Sequence, residues 1–241
     1  MINLQVNDNC PLKYKVKELL PYISLFDLKG FTLKCSDIIE LTDNEGRFSP
    51  FYIDLNIYRQ RLSRGGKKSE SIARAVIGKL KKPDVIDATA GLGRDALILQ
   101  SAGANVKMFE RNPIIYILLQ DALRRAFEDS SFLSCLPNGL PTLMPYGSLK
   151  DYKSLHKDFD ADVIYYDPMF PQRQKSAQVK KEMQIFHEIV GFDEDNFSYA
   201  EYLKSVAKVR LVIKRPANAE PILPFTYQVD GKACRFDCIQ L

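Results

Sequence analysis

The chain has only two histidines, five scattered cysteines and no long apolar run among its 241 residues. Each shortage excludes something. A membrane-crossing helix needs about 20 predominantly apolar residues, and the longest stretches here, such as IIYILL at 114–119, fall far short. The opening MINLQVNDNC has neither a basic start nor an apolar segment behind it, so it does not read as a secretory signal. A cytoplasmic protein with no membrane partner is expected. Cys10, Cys35, Cys135, Cys234 and Cys238 are odd in number. Only the last two are close, at a spacing that fits no common zinc pattern, and in a strand they sit too far apart to bridge. His156 and His187 complete no ligand set. The expectation is free thiols and no structural metal. Repeats and low-complexity segments are also missing.

What is present is an ordinary globular composition, enough for one sizeable core and a small extra lobe. The net charge of +4 is mild. Nucleic-acid binding depends on how charge clusters rather than on its total, and clusters occur: RQRLSRGGKK at 59–68, RQKSAQVKK at 173–181 and KVRLVIKR at 208–215.

From about residue 83, apolar strands alternate with amphipathic helices. DVIDA precedes a helix from Arg94, and VKMFE precedes a helix from Pro113. PTLMPY, ADVIYYD, helical stretches near 176–190 and 199–207, and RLVIK follow. This alternation predicts an α/β fold, a mostly parallel sheet with helices on both faces. FTYQVDGKACRFDCIQL carries Asp230-Gly231 between two strand-like runs, the signal of an antiparallel C-terminal hairpin. Short alternating pieces, FTLKC and FYIDL, predict a small β-containing lobe over residues 1–62, ahead of a main domain over 63–241. GGKKSESIARAVIG between them reads as a glycine turn, a Ser69 or Ser71 cap and a helix.

Two stretches carry the chemistry. In VIDATAGLGRDALIL, Asp87 ends a buried strand, Gly91 and Gly93 sit in a compact loop, and a helix begins at Arg94 and Asp95. Small residues let backbone approach a ligand, and a helix start offers unpaired N–H groups. Glu110, at the tip of the next strand, stands where α/β nucleotide folds hold ribose hydroxyls, with Arg111 beside it. Gly91 to Ala96 also satisfies the G-x-G-x-x-G/A spacing of a dinucleotide site, so an NAD-dependent oxidoreductase competes. Asp87 would repel a pyrophosphate but suits a ligand bearing an ammonium, as S-adenosylmethionine does. No residues suggest hydride transfer, and methyl transfer is preferred.

The second stretch, YYDPMFP, places Asp167 at the end of an apolar strand, followed by Pro168, Met169 and Phe170. It resembles the (Asn/Asp)-Pro-Pro-(Tyr/Phe) motif of methyltransferases acting on exocyclic amines. Such a nitrogen is a poor nucleophile because its lone pair is delocalised into the ring. The Asp167 carboxylate and the Pro168 carbonyl can accept its two N–H bonds, favouring a tetrahedral nitrogen with the lone pair free to react. Phe170 can stack on the base, worth about 1–3 kcal/mol. This is catalysis by positioning and electrostatics. Met169 replaces the second proline, but the acceptor carbonyl belongs to Pro168.

DATAGLGRDA, ERNP, DPMFPQRQKSAQVKKEM and VIKRP, in this order and spacing, resemble the bacterial RsmJ family of small-subunit ribosomal RNA guanine-N2 methyltransferases over roughly residues 64–238. The resemblance implies a class I, Rossmann-like fold and methyl transfer from S-adenosylmethionine to the N2 amine of one guanine in 16S ribosomal RNA, alone or in the small subunit. It implies cofactor contacts at Arg94, Asp95, Glu110, Arg111, Asp167 and the pair Gly147-Ser148, where the family has two serines. Arg173, Lys175, Lys180, Lys181, Lys214 and Arg215, with Lys67 and Lys68 adding to them, are then expected to hold RNA phosphates around a base turned out of its stack. The amine motif itself leaves adenine-N6 in RNA or DNA open, and Met169 leaves open a binding module without turnover.

Overall fold

The computed structural model describes residues 2–26, 28–63, 70–169, 189 and 195–241. Two sheets organise them. The smaller joins β1 (Asn3–Val6), β2 (Phe31–Cys35) and β3 (Ile39–Asp43), with β1 parallel and β3 antiparallel to β2. Helix α1 (Lys13–Ile23) makes the crossover between β1 and β2. The second piece expected as β, FYIDL, forms only a bridge between Phe51 and Leu41. Asp54 ends it by accepting the Asn56 N–H at 2.9 Å, which caps a 3₁₀ turn at Leu55–Tyr58. Helix α2 (Arg59–Ser63) follows directly.

The larger sheet has seven strands: β4 (Asp84–Asp87), β5 (Asn105–Met108), β6 (Thr142–Leu143), β7 (Val163–Tyr166), β8 (Arg210–Pro216), β9 (Tyr227–Asp230) and β10 (Cys234–Gln240). Their spatial order is β6-β5-β4-β7-β8-β10-β9. The first five pair in parallel, while β10 runs antiparallel to both β8 and β9. The expected hairpin is therefore present, its turn closed by the Gly231 N–H on the Cys234 carbonyl at 2.8 Å. β6 is short because Pro141 and Pro145 bracket it and cannot donate to a ladder.

Strand alternation sends side chains to two cores. Val85, Val163, Tyr165 and Val212 face one side, with α4 (Arg94–Ser101) and α5 (Pro113–Glu128). Ile86, Ile164, Tyr166, Leu211 and Ile213 face the other, with α7 (Leu149–Leu155) and α8 (Asn196–Val206). Strands apolar on both faces are the mark of a parallel sheet covered by helices on each side. Helix α5 begins where predicted, with Pro113 in its first turn and the Asn112 side chain accepting from Ile114 and Ile115. Helix α3 (Ser71–Val76) corrects the predicted cap. Glu70 holds the cap position, and the Ser71 hydroxyl instead donates to the Asp230 carbonyl at 2.8 Å; Ser69 lies outside the described residues. A short α6 (Ser130–Leu133) follows α5.

The small sheet is tied to the large one through α5. Buried Asp121 accepts the Ile39 N–H at 3.1 Å and is paired with Arg124 and Arg125. Those arginines reach the carbonyls of Asp37, at 2.7 Å, and Ile53, at 2.5 Å. Apolar residues of both regions form one continuous cluster. Removing a carboxylate that serves a buried N–H and two cations typically costs about 2–4 kcal/mol. Asp121→Ala is therefore expected to lower the urea midpoint by that equivalent, with Asp121→Asn intermediate. A midpoint unchanged in both variants would contradict this docking role.

Candidate active site

At the carboxyl ends of β4 and β7, where the strand order reverses, lies a cavity of about 420 Å³. Open α/β sheets bind ligands at such a crevice. β4 delivers Asp87, which is buried and accepts the Thr89 N–H at 3.1 Å. Burial pushes its carboxyl up to about 8, and the nearby Asp95 and Asp167 charges add to the rise. The loop then turns through Gly91 and Gly93, whose φ angles of +51° and +74° favour glycine. A Cβ on Gly93 would also lie 2.9 Å from Leu119 Cδ1 of α5. Glu110, just past β5, locks this loop. Its carboxylate accepts the Gly91 N–H at 2.9 Å and the Asn112 N–H at 2.7 Å.

Across the cavity, Lys214 of β8 donates to Asp95 Oδ2 at 2.9 Å and to Asp167 Oδ2 at 2.6 Å. The Tyr165 hydroxyl donates to the same Asp95 oxygen at 2.6 Å. Asp167 is anchored a second time, its N–H donating to Thr89 Oγ1 at 2.8 Å. The carboxylates differ in depth: the Asp95 side chain is 16% exposed and that of Asp167 is 34%. Burial raises the Asp95 carboxyl, but the Lys214 ammonium and the Tyr165 hydrogen bond outweigh it and hold the group below its usual range. Asp167 is shifted upward, first by burial and then by Asp95, with Lys214 opposing. The two acids keep the ammonium of Lys214 protonated, against the burial that disfavours it.

Comparison with known proteins now decides the family. The model of a SAM-dependent methyltransferase family matches residues 30–240. A ribosomal RNA small subunit methyltransferase J from Pectobacterium atrosepticum is 44% identical over 176 residues, 72% of this chain and 70% of that protein. One from Erwinia tasmaniensis is 42% identical over 80% of this chain and 76% of that protein. Among solved structures, a SAM-dependent methyltransferase from Neisseria gonorrhoeae superposes with a TM-score of 0.67 at 27% identity, covering 98% of this chain and 95% of that one. The chain belongs to the methyltransferase J family. The dinucleotide alternative, which the glycine spacing alone allowed, does not fit this membership.

Of the residues singled out in the sequence, Asp87, Gly91, Arg94, Asp95, Glu110, Arg111 and Asp167 do line the cavity of this family member. Gly93 stands behind the wall and shapes the loop. Arg111 extends outward to a two-pronged pair with Asp195 at 3.1–3.2 Å. Gly147 and Ser148 are set apart from the cavity wall. Gly147 donates its N–H to the Glu110 carbonyl, and the Ser148 hydroxyl is spent in a capping box with Asp151 at the start of α7. Pro168 is buried and Met169 reaches the wall.

The basic residues divide differently from expectation. Lys214 and Arg215 are neighbours on one strand, so their side chains leave opposite faces. Lys214 turns into the cavity and is tied to two carboxylates, which corrects its expected phosphate role. Arg215 is 8% exposed and donates to the Glu220 carbonyl, so it offers no open phosphate contact either. Phe170, Arg173, Lys175, Lys180 and Lys181, like Lys67, Lys68 and His187, lie outside the described residues.

Sequence reasoning missed Thr89, Tyr165, Phe26 and Tyr58, which also line the cavity. Thr89 stood inside the quoted loop, and its hydroxyl next to Asp87 was the available signal. Phe26 follows α1 and Tyr58 ends the 3₁₀ turn, and neither carries a local mark.

The raised carboxyl of Asp87 generates a pH prediction. Its folded value of about 8 lies above the ordinary 3.8. The folded state therefore holds a proton that the unfolded state releases, and stability falls as pH rises between those values. Asp87→Asn is expected to lose this part of the decline, so its urea midpoint should exceed that of the parent at pH 8.5 by more than at pH 5. Parallel declines in the two proteins would refute the assignment.

Proposed function

We propose that the chain methylates the exocyclic N2 amine of a guanine in 16S ribosomal RNA, using S-adenosylmethionine. The observation that carries this is the fixed carboxylate of Asp167 on the cavity wall, directly after β7, held by Thr89 and Lys214. The donor set fits the cofactor. Asp95 and Asp167 share the Lys214 ammonium on the cavity wall, where their carboxylates can receive the positive end of a ligand, while Asp87, its carboxyl raised to about 8, can donate a hydrogen bond. Its volume of about 420 Å³ suits a small molecule. Glu110 holds the Gly91 loop and the Asn112 N–H from the cavity wall, at the strand tip where α/β nucleotide folds bind ribose.

S-adenosylmethionine, when bound, supplies an electrophilic methyl group on a positively charged sulfur. The proposed cofactor set is Asp87, Gly91, Gly93, Arg94, Asp95, Glu110, Arg111 and Asp167. Asp167 Oδ1 accepts one amine N–H and the Pro168 carbonyl the other, orienting the nitrogen lone pair. Once alkylated, that nitrogen sheds a proton, which Oδ1 can take. Phe170 stacks on the base, and Arg173, Lys175, Lys180 and Lys181 hold phosphates around it. The lobe over residues 1–62 contributes Phe26 and Tyr58 to the cavity and so helps shape it. A ribosomal RNA substrate supports a cytoplasmic site of action. Among the described residues no helix is long and apolar enough to cross a membrane, and no group of metal-ligating side chains occurs.

The test is methyl transfer from radiolabelled S-adenosylmethionine to small subunits, and to naked 16S RNA, from cells lacking this protein. Label is expected in N2-methylguanosine; label in N6-methyladenosine would keep the chemistry and replace the base. Asp167→Ala should lower turnover on the order of 10²–10³-fold while RNA affinity stays near that of the parent. Charge reversal at Lys180 and Lys181 together should weaken RNA binding and flatten its salt dependence. An unaltered slope would place the RNA elsewhere.

A further inference from the structure

Among the described residues, Lys214 is the group that hydrogen-bonds both Asp95 and Asp167. It comes from β8, Asp95 from α4 and Asp167 from the segment after β7. These partners lie 119 and 47 residues away in sequence. The side chain is 24% exposed and spends two of its three N–H bonds on the carboxylates. Asp167 is thus held at two points, its backbone N–H on Thr89 and its Oδ2 on Lys214. Among the described residues no group bonds Oδ1.

We propose that Lys214 is a positioning residue: by holding Asp167 through Oδ2 it presents Oδ1 to the incoming amine, and it couples that carboxylate to Asp95 at the start of α4. This rests on the assignment of Asp167 as the amine acceptor. The geometry gives the lysine two effects. A carboxylate fixed by one oxygen has a defined direction for the other, so the amine meets an acceptor already aimed. The positive charge also keeps two neighbouring acids ionised together, which bare proximity would oppose.

A merely structural lysine would not move a pH profile, and this one should. Asp167 is faced by Asp95 and Arg94 from α4, Asp87 from β4, Tyr165 from β7, Cys234 from β10 and Lys214 itself. Burial and Asp95 raise the carboxyl, and Lys214 lowers it. Without the ammonium the carboxyl rises further, less of it is ionised at a given pH, and the acid limb of kcat moves to higher pH.

The experiment measures kcat against pH, RNA affinity across a salt series and thermal melting. It uses the full chain with S-adenosylmethionine and the RNA substrate that accepts label. The variants are Lys214→Met, Lys214→Arg, Lys214→Gln and Asp167→Ala. Lys214→Met is expected to lose on the order of 10²-fold in kcat near neutral pH, with its acid limb displaced upward and its RNA affinity and salt slope unchanged. Lys214→Arg should restore part of the rate and bring the limb back. If the Met variant does not fold, Lys214→Gln keeps a donor without the charge and should show the same displaced limb. An acid limb that stays in place in the folded neutral variants overturns the proposal. Weakened RNA binding with a flattened salt slope would return Lys214 to phosphate contact and overturn it as well. Asp167→Ala separates the two levels. Full turnover there removes the acceptor role of Asp167 itself. Collapse there, beside a Lys214→Met enzyme of parental rate and profile, removes only the role of Lys214.

Discussion

One ammonium, that of Lys214, makes the acidic cavity sustainable. Asp87, Asp95 and Asp167 converge there from two strand ends and a helix start. Like charges brought together out of water drive protons onto one another. The three acids resolve this differently. Asp95 stays ionised on Lys214 and Tyr165, Asp167 shares the same lysine while being pushed upward, and Asp87 rises to about 8. Two carboxylates held on one lysine offer a defined seat for positive charge, and the family's cofactor carries one. The lysine therefore links the electrostatics of cofactor recognition to the direction of the amine acceptor.

Much of this was legible in local sequence, because local geometry made it so. The turn from Asp87 to Arg94 needs glycine at positive φ, and Gly91 and Gly93 announced it. Pro113 after Asn112 marked the start of α5, and Asp230-Gly231 marked the hairpin. The acid at the tip of β5 was also readable, although its main work proved to be locking the Gly91 loop.

The rest was not legible, for reasons equally physical. Lys214 and Arg215 look alike in a basic run, and only strand alternation separates one face from the other. The partners of Lys214 are tertiary neighbours that no window of sequence contains. Ser148 also starts α7, bonding Asp151 three residues along in a cap that the reading of the sequence did not include. FYIDL alternates like a strand, but Asp54 turned it into a 3₁₀ cap. Phe26 and Tyr58 reach the cavity through tertiary packing that no local stretch records.

The tie between the small sheet and α5 bears on how the chain is made. The backbone groups of Asp37, Ile39 and Ile53 find their partners on α5 between 72 and 87 residues later. As the chain leaves the ribosome, these residues emerge before α5 and must wait for its side chains. At about 5–20 residues per second the interval is on the order of ten seconds. Through it, the backbone groups of Asp37, Ile39 and Ile53 exist without the side chains that will satisfy them, so this contact closes only after α5 has been made.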